Sequence, residues 1–362
     1  MLYQAVDFRL NTGMAAFKVV LIEHGYDTTQ YEREIIEAAG GEFIDAESLP
    51  REEALRLCEA ADGILFRRQD ITREMIQRFR RCKVIVRYGV GTDNVDTGAA
   101  TEAGIIVGHV PVYCVDEVTS HAFALLLACV RHVVATHQKM ERGAWDVHRN
   151  EPIYRMEGKT IGLIGLGKIG QGMARKLTGW GLQVLATDPF VKEEKAKALG
   201  VKLVDFEELC RRSDYLSLHV PLLPETRHLI NGKSLGSMKR GVIIVNTARG
   251  PVIDLKALKE ALDSGHVAWA GLDVFEDEPL PADSPYRSHP RVVVSDHTAW
   301  YSEESQVQLQ QTAAREIARV CTGGLPESLA NPEVLRKLGR WEEWTPSETV
   351  MWQLKRLEKL GR

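Results

Sequence analysis

The chain has 362 residues and a formal net charge of −4, so it offers no basic surface for nucleic acid or an anionic membrane. That length suits about two domains with sizeable cores, and no apolar run approaches the ~20 residues of a membrane span. The six cysteines, at positions 58, 82, 114, 129, 210 and 321, form no C-x-x-C pair, which argues against a zinc site and fits free thiols in a reducing compartment such as the cytoplasm. Residues 1–16 show no clear period and are expected to form a tail, with Met14 as an alternative start.

Residues 18–108 alternate strand and helix signals. Strands are expected at Lys18–Ile22, Gly63–Phe66, Val84–Val86 and Ile105–Val107. Helices are expected at Thr29–Ala39, Arg51–Ala60, Thr72–Phe79 and Thr97–Ala103. Strands separated by helices imply a parallel sheet in a small α/β domain. Between the third and fourth strands runs RYGVGTDNVD, residues 87–96. It reads either as an ordinary strand-to-helix turn or as a loop whose backbone N–H groups and Arg87 receive an anion. A long apolar helix follows over Val115–His132, and His109, His121, His132 and His137 near it match no metal pattern and read as core or surface. Residues 144–152 form a polar loop carrying Trp145.

Residues 158–189 read GKTIGLIGLGKIGQGMARKLTGWGLQVLATDP. Thr160–Ile164 suits a buried strand, Gln171–Leu177 a helix and Gln183–Thr187 a second strand. Between the first strand and the helix, Gly165, Gly167 and Gly170 are spaced as G-x-G-x-x-G, and Asp188 ends the second strand. This order meets the needs of a dinucleotide. A tight turn and bare backbone admit the pyrophosphate at a helix N-terminus, and the acid accepts hydrogen bonds from a ribose diol. Asp188 favours NAD over NADP, because it repels a 2′-phosphate and no arginine follows it closely in DPFVKEE.

A second, larger βα array is expected to continue with a solvated helix at Lys192–Ala198, helices at Glu207–Arg212 and Leu255–Ser264, and strands at Tyr215–His219, Val242–Asn246, Trp269–Val274 and Val292–Ser295. Ser302–Cys321 reads as a helix returning to the first domain. Residues 331–362 carry Trp341, Trp344 and Trp352 among charges, and a loosely docked tail is favoured over an amphipathic segment against a partner subunit. Three strand ends gather polar groups: NTARG at 246–250, GLDVFEDEP at 271–279 and SDHTAW at 295–300. Ligands of open α/β sheets bind outside the carboxyl ends of strands. Arg249, Glu278 and His297 there suit a carboxylate anchor, a base-orienting acid and a proton donor, although each alone also reads as a surface or turn residue.

In their order and spacing, GLIGLGKIG, NTARG, GLDVFEDEP and DHTAW resemble the D-isomer-specific 2-hydroxyacid dehydrogenase family, with support from RYGVGTDNVD and SLHVPLLPETRHLI. HTAWYSEES and GGLPESLANP resemble the branch containing the C-terminal binding proteins, which are corepressors retaining a dehydrogenase fold. The resemblance covers roughly residues 18–330 and implies an α/β protein of two doubly wound parallel-sheet domains. A Rossmann NAD-binding domain (113–298) is then inserted into a smaller flavodoxin-like substrate domain (17–112 plus 299–330), and the protein is a homodimer. It also implies that Arg249 anchors substrate, that Glu278 partners the histidine and that His297 is catalytic. The cofactor set expected on this footing is Thr119, Gly165, Gly167, Lys168, Ile169, Gly170, Asp188, His219, Val220, Thr226, Thr247, Ala248, Asp273 and His297. Arg87, Tyr88, Gly89, Val90, Arg249 and Trp300 are expected around the substrate, and no metal is expected. Ser295-Asp296 stands where many members have a proline before the histidine.

The implied activity is NAD-dependent interconversion of a small D-2-hydroxy acid and its 2-keto acid. The rival is an NAD(H)-sensing, corepressor-like binding protein with vestigial activity; the intact Arg249, Glu278 and His297 favour the enzyme. The domains are expected to close on the ligand about Pro111–Cys114 and His297–Ser302. Trp300 suggests a modest apolar or thioether substrate side chain, while Arg87 keeps a dicarboxylate as the alternative.

Overall fold

The structure, a computed structural model, describes residues 15–146 and 152–345. Most of the expected N-terminal arm, part of the 144–152 loop and residues 346–362 lie outside the described residues. The chain divides into one unit of residues up to Tyr113 and from Glu303 onward, and a second of Cys114–Ser302.

The first unit opens with β1 (Phe17–Leu21), α1 (Gln30–Ala38), β2 (Gly41–Asp45), α2 (Arg51–Glu59), β3 (Gly63–Phe66), α3 (Arg73–Arg78), β4 (Val84–Arg87), α4 (Thr97–Ala103) and β5 (Ile106–His109). All strands are parallel, in the order β2-β1-β3-β4-β5, the flavodoxin-like arrangement. Apolar runs such as Gly63–Phe66 are buried along their whole length, as strands covered on both faces must be. Local chemistry ends the helices: the Asp96 carboxylate caps α4 by accepting from Ala99 N–H, and Gly104 stops it with φ of 77°. The sequence reading missed β2. It is an edge strand of sequence GEFID in which only Phe43 is buried, so no apolar run marks it.

The second unit begins with α5 (Val115–Arg131), which bends by 62° at His132 into α6 (Val133–Glu141). His132 sits at φ 52°. There follow β6 (Thr160–Ile164), α7 (Lys168–Lys176), β7 (Gln183–Thr187), α8 (Glu193–Ala198), β8 (Lys202–Leu203), α9 (Phe206–Arg212), β9 (Tyr215–Leu218), α10 (Gly232–Ser237), β10 (Val242–Asn246), α11 (Leu255–Asp263), β11 (Val267–Leu272) and β12 (Val292–Val294). The order β12-β11-β10-β9-β6-β7-β8 is doubly wound, and its direction reverses between β6 and β9, where such sheets open a crevice at their carboxyl edge. On one face Ala122, Leu125, Leu126 and Cys129 of α5 pack with Ile161, Leu163, Ile243, Val245 and Trp269. On the other, Leu209, Leu235, Leu258 and Leu262 close the core. The helix expected at Gln171–Leu177 begins three residues earlier, at Lys168, so Gly170 lies in its first turn. Helix α10 went unread because GKSLGS has no apolar period; a capping box between Asn231 and Ser234 starts it.

The chain returns to the first unit as α12 (Glu303–Cys321), which packs on α1, β3 and β4. Past it lies α13 (Glu333–Lys337), within the stretch from 331 expected to form a loosely docked tail, and its described flanks are tied to the first unit. Asn331 accepts from Val107 N–H (2.8 Å) and donates to Ile105 O (2.9 Å), extending the β5 edge. Trp344 is 9% exposed and donates to Pro326 O at 3.1 Å. No single helix among the described residues is long and apolar enough to cross a membrane.

A buried polar cluster ties α1, β4 and α12 together. Tyr88 hydroxyl donates to Glu32 Oε1 at 2.7 Å, and Gln310 Nε2 donates to Glu32 Oε2 at 3.2 Å. Burial raises the Glu32 carboxyl above its usual range against the opposing help of these bonds. An acid raised in the fold contributes stability fully below its unfolded value near 4.5, and loses it as pH climbs through the folded value. Glu32→Gln keeps the acceptor for Tyr88 without the charge. Its melting temperature is expected to match the parent near pH 4 and to exceed it increasingly toward pH 8; a gap that does not widen with pH would contradict this. Tyr88→Phe, which strands a buried carboxylate oxygen, should cost about 1–3 kcal/mol in the same scans.

Candidate active site

In the second unit, the functional side chains sit in the loops that leave the carboxyl ends of β6, β7, β9, β10, β11 and β12. After β6, Gly165 holds φ of 91° and a Cβ there would lie 2.6 Å from His219 O; a Cβ on Gly170 would lie 2.2 Å from Gly165 O. The turn therefore closes only with bare backbone at both positions. Gly167 differs, since its Cβ would meet no protein atom within 4 Å. The N-terminus of α7 faces open space there, as a pyrophosphate site requires. At the end of β7, Asp188, the acid expected at a ribose, accepts from Leu166 N–H (2.8 Å) and Phe190 N–H (2.9 Å) and so pins the glycine turn.

Two further groups fit a dinucleotide. His219, just past β9, has both ring nitrogens shielded and unpartnered among the described residues, and burial depresses its pKa to about 4, leaving a neutral ring. Thr247, just past β10, has a shielded hydroxyl likewise without a partner. Buried polar groups cost free energy unless a partner is supplied, and here a cofactor bound along these strand ends would supply it. Other members of the expected set are engaged inside the protein. Thr119 is buried, its hydroxyl donates to Val115 O, and it abuts Gly172 where α7 crosses α5. Thr226 Oγ1 accepts from Leu223 N–H and donates to Pro221 O. Val220 packs beside Gly165. Lys168 and Ile169 open α7, and Ala248 N–H donates to Asn246 Oδ1.

The strand-end loops after β10, β11 and β12 bring Arg249, Glu278 and His297 together. Asn246 folds the first of them, accepting from Ala248 N–H and donating to Arg249 O (3.0 Å each). A Cβ on Gly250 would fall 1.9 Å from the Phe275 carbonyl, so only glycine lets this loop lie on the next. Glu278 Oε1 accepts from Phe275 N–H at 3.0 Å, and Oε2 meets His297 Nδ1 at 2.6 Å. Burial pushes the Glu278 carboxyl up, yet the His297 bond and charge, the Phe275 amide and the Arg249 charge outweigh it and hold the acid below its ordinary value. With Nδ1 committed to Glu278, Nε2 of His297 is the nitrogen left for proton transfer. His297 itself stands at φ 57°. Asp273, expected against the cofactor, is 1% exposed, and its carboxylate accepts from Thr298 N–H (3.0 Å), Ala299 N–H (3.1 Å) and Ser295 hydroxyl (2.7 Å). It holds the histidine turn. His121, read as core or surface, extends this chain through Ser295 Oγ at 2.9 Å. Trp300 is half-buried, edge-on to Tyr301.

The first unit carries the other expected residues. Arg87 ends β4, Gly89 takes φ of 130°, and its missing side chain leaves room for the Arg87 guanidinium. Tyr88, expected to touch substrate, is 2% exposed with its hydroxyl on Glu32 and its N–H donating to Phe66 O at 2.8 Å, so its side chain is turned into the core. The loop's carbonyls are tied back: Val110 N–H donates to Gly89 O (3.0 Å) and His109 Nδ1 to Val90 O (2.7 Å). His109, read as core or surface, is 2% exposed and buried beside the loop. No cluster of three or more metal-ligating side chains occurs among the described residues.

Comparison with known proteins agrees with this geometry. The family described as "D-isomer specific 2-hydroxyacid dehydrogenase, NAD binding domain" matches residues 123–299. The chain is 41% identical over 304 residues to the D-3-phosphoglycerate dehydrogenase of Methanocaldococcus jannaschii, covering 83% of this chain but only 58% of that protein, little more than half its length. It is 38% identical over 287 residues to the glyoxylate reductase of Korarchaeum cryptofilum, covering 78% of this chain and 86% of that one. Among solved structures, the D-lactate dehydrogenase of Aquifex aeolicus complexed with NAD and lactic acid superposes with a TM-score of 0.76 at 26% identity, covering 88% of this chain and 98% of that one. The cofactor is NAD.

The glycine geometry separates folding from binding. Gly167→Ala is expected to leave the melting temperature of the free protein within about 1 °C while abolishing most of the rise that NAD produces, because its methyl meets only the bound pyrophosphate. Gly170→Ala should lower the melting temperature without ligand, since its methyl strikes Gly165. Equal NAD-induced shifts in Gly167→Ala and the parent would remove this loop from the cofactor site.

Proposed function

The chain belongs to the D-isomer-specific 2-hydroxyacid dehydrogenase family, and on that premise we propose that it interconverts a small D-2-hydroxy acid and its 2-keto acid. The observation that carries the reading is the His297–Glu278 pair at 2.6 Å with the Arg249 charge acting on the same carboxylate. Gly165, Gly167, Asp188, His219 and Thr247 would hold NAD, and bound NADH supplies the hydride that reaches the carbonyl carbon. His297 Nε2 gives the proton to the oxygen on which negative charge develops. Arg249 stabilises that charge. Glu278, its carboxyl held below the ordinary value, accepts from Nδ1 and fixes the ring. In the oxidation direction the same imidazole takes the proton back. Arg87 with the amides of Val90 and Gly91 is the proposed anchor for the substrate carboxylate, and Trp300 lies three residues from His297 as a candidate wall for the side chain. The corepressor-like alternative gains no support from these observations.

We further propose a homodimer in the cytoplasm. All six cysteines are buried free thiols, as a reducing compartment favours. Helix α6 buries none of its residues, and Val133 (56%), Met140 (45%) and Trp145 (86%) are exposed on and beside it. An apolar patch of this kind on one element suits a subunit contact.

Three outcomes test the reading. NADH-dependent reduction of a panel of 2-keto acids should give turnover, and His297→Ala should lower kcat by about 10²–10⁴-fold, the scale of a lost general acid; near-normal turnover in that variant would refute the assignment. NADPH should be used at a kcat/KM far below that of NADH, because Asp188 stands where a 2′-phosphate would lie. In light scattering after size exclusion, the parent should run as a dimer and Val133→Glu with Met140→Glu as a monomer; a dimer unaffected by both changes excludes this face.

A further inference from the structure

The loop after β3 presents three consecutive backbone N–H groups, of Arg67, Arg68 and Gln69, that converge on one point. A carboxylate of the chain itself already sits there: Glu23 Oε2 accepts from Arg67 N–H at 3.3 Å, Arg68 N–H at 2.7 Å and Gln69 N–H at 3.2 Å. Converging amides of this kind are anion receptors, and two arginines carry them. The opposite edge of the segment is tied to the Arg87–Val95 region, because Asn94 Nδ2 donates to Arg67 O (3.4 Å) and Gln69 O (3.0 Å). Strand β3 is the direct neighbour of β4, about 4.8 Å away in a parallel sheet. The receptor therefore lies in the loop beside the one proposed to hold the substrate carboxylate at Val90 and Gly91.

We propose that Glu23 is a specificity-determining residue, an internal anion that fills this receptor so that the substrate is a 2-keto acid with an uncharged side chain and one bearing a second carboxylate or a phosphate is rejected. This rests on the dehydrogenase reading of the site. A second anion has to displace Glu23 from three charge-assisted bonds or lie beside a like charge. One of the receptor's two arginines is already committed: Arg67 Nη1 donates to His24 O at 3.0 Å, and its guanidinium lies 5.2 Å from the Tyr26 ring centre. The receptor does not depend on Glu23 for its shape, since Asn94 holds its carbonyl side. Nor does the backbone of Glu23 depend on its carboxylate: the next two residues, His24 and Gly25, donate their N–H groups to Glu47 Oε1 at 3.0 and 2.7 Å. Removing the side chain therefore leaves an open receptor.

The test uses the purified full chain with NADH and two keto acids of equal length, 2-oxopentanoate and 2-oxoglutarate, with 3-phosphohydroxypyruvate as the phosphate-bearing arm. The parent should favour 2-oxopentanoate by about tenfold or more in kcat/KM, the scale of a pocket that leaves a polar group unmet. Glu23→Ala should raise the ratio of 2-oxoglutarate to 2-oxopentanoate by at least about tenfold, through KM, because the freed amides now bind the second carboxylate. Glu23→Gln, which keeps an acceptor in the receptor but no charge, should give a smaller change in the same direction and decides the matter should the alanine variant not fold. A ratio unchanged or lowered in both variants, or a parent that already prefers the dicarboxylate or the phosphate ester, overturns the proposal while leaving the dehydrogenase reading intact. A parent that reduces none of the three overturns both.

Discussion

The buried carboxylate of Asp273 is the constraint on which the candidate active site depends. Three donors from residues 295–299 converge on it, and the Asp273 carbonyl accepts from His297 N–H at 2.8 Å. His297 has a positive φ, a conformation that costs a non-glycine residue free energy and persists only where its surroundings impose it. The flanking bonds to one charged group supply that imposition, since each charge-assisted bond is roughly twice as strong as a neutral one. The imidazole is thereby presented to Glu278 from a short turn rather than from a strand or helix. The proline found before this histidine in many family members has no amide to donate and prefers extended geometry in the residue ahead of it. Here Ser295 gives its hydroxyl to Asp273 instead, so the turn is fixed by hydrogen bonds and not by a ring.

The same logic explains why Gly250 and Asn246 matter although neither can do chemistry. Arg249 sits on a loop that must lie against the backbone of Phe275, and a side chain at Gly250 would hold the two apart. With the loops in contact, the arginine charge reaches Glu278 and helps hold it ionised. Geometry and electrostatics are thus one arrangement: the close backbone approach creates the local positive potential, and that potential lets a carboxylate stay charged against the cost of its burial.

Much of this was legible in the sequence because it follows from short-range rules. β-Branched runs gave the central strands of both sheets, and the glycine spacing gave the turn after β6. The order of NTARG, GLDVFEDEP and DHTAW placed three polar clusters at strand ends. The elements that escaped, β2, α6, β8, α10 and α13, are short, edge or exposed elements whose residues have little to bury, so no periodicity marks them. Side-chain direction also escaped. Tyr88 belongs to a loop that looks exposed, yet it points into a core built by Glu32 and Gln310, which lie 56 residues before it and 222 after it. The role of Asp273 escaped for the same reason, because its partners come from a turn more than 20 residues on.

The unpartnered polar groups complete the argument, since they show where the fold forgoes stability. His219 and Thr247 follow adjacent strands, β9 and β10, and both present shielded polar atoms that no described residue satisfies. Each such group costs a fold about 1–3 kcal/mol when left unmet, so a chain shaped for stability alone would place apolar side chains there. Lowered to about 4, the pKa of His219 keeps its ring neutral at physiological pH, so one nitrogen donates and the other accepts. A neutral donor–acceptor pair beside the glycine turn suits a polar, uncharged part of a ligand. On the proposed reading the anionic part would fall to the amides at the start of α7 and the diol to Asp188. The crevice at the reversal of the sheet therefore gathers bare amides, a carboxylate and neutral polar groups, chemistries that the parts of a dinucleotide call for.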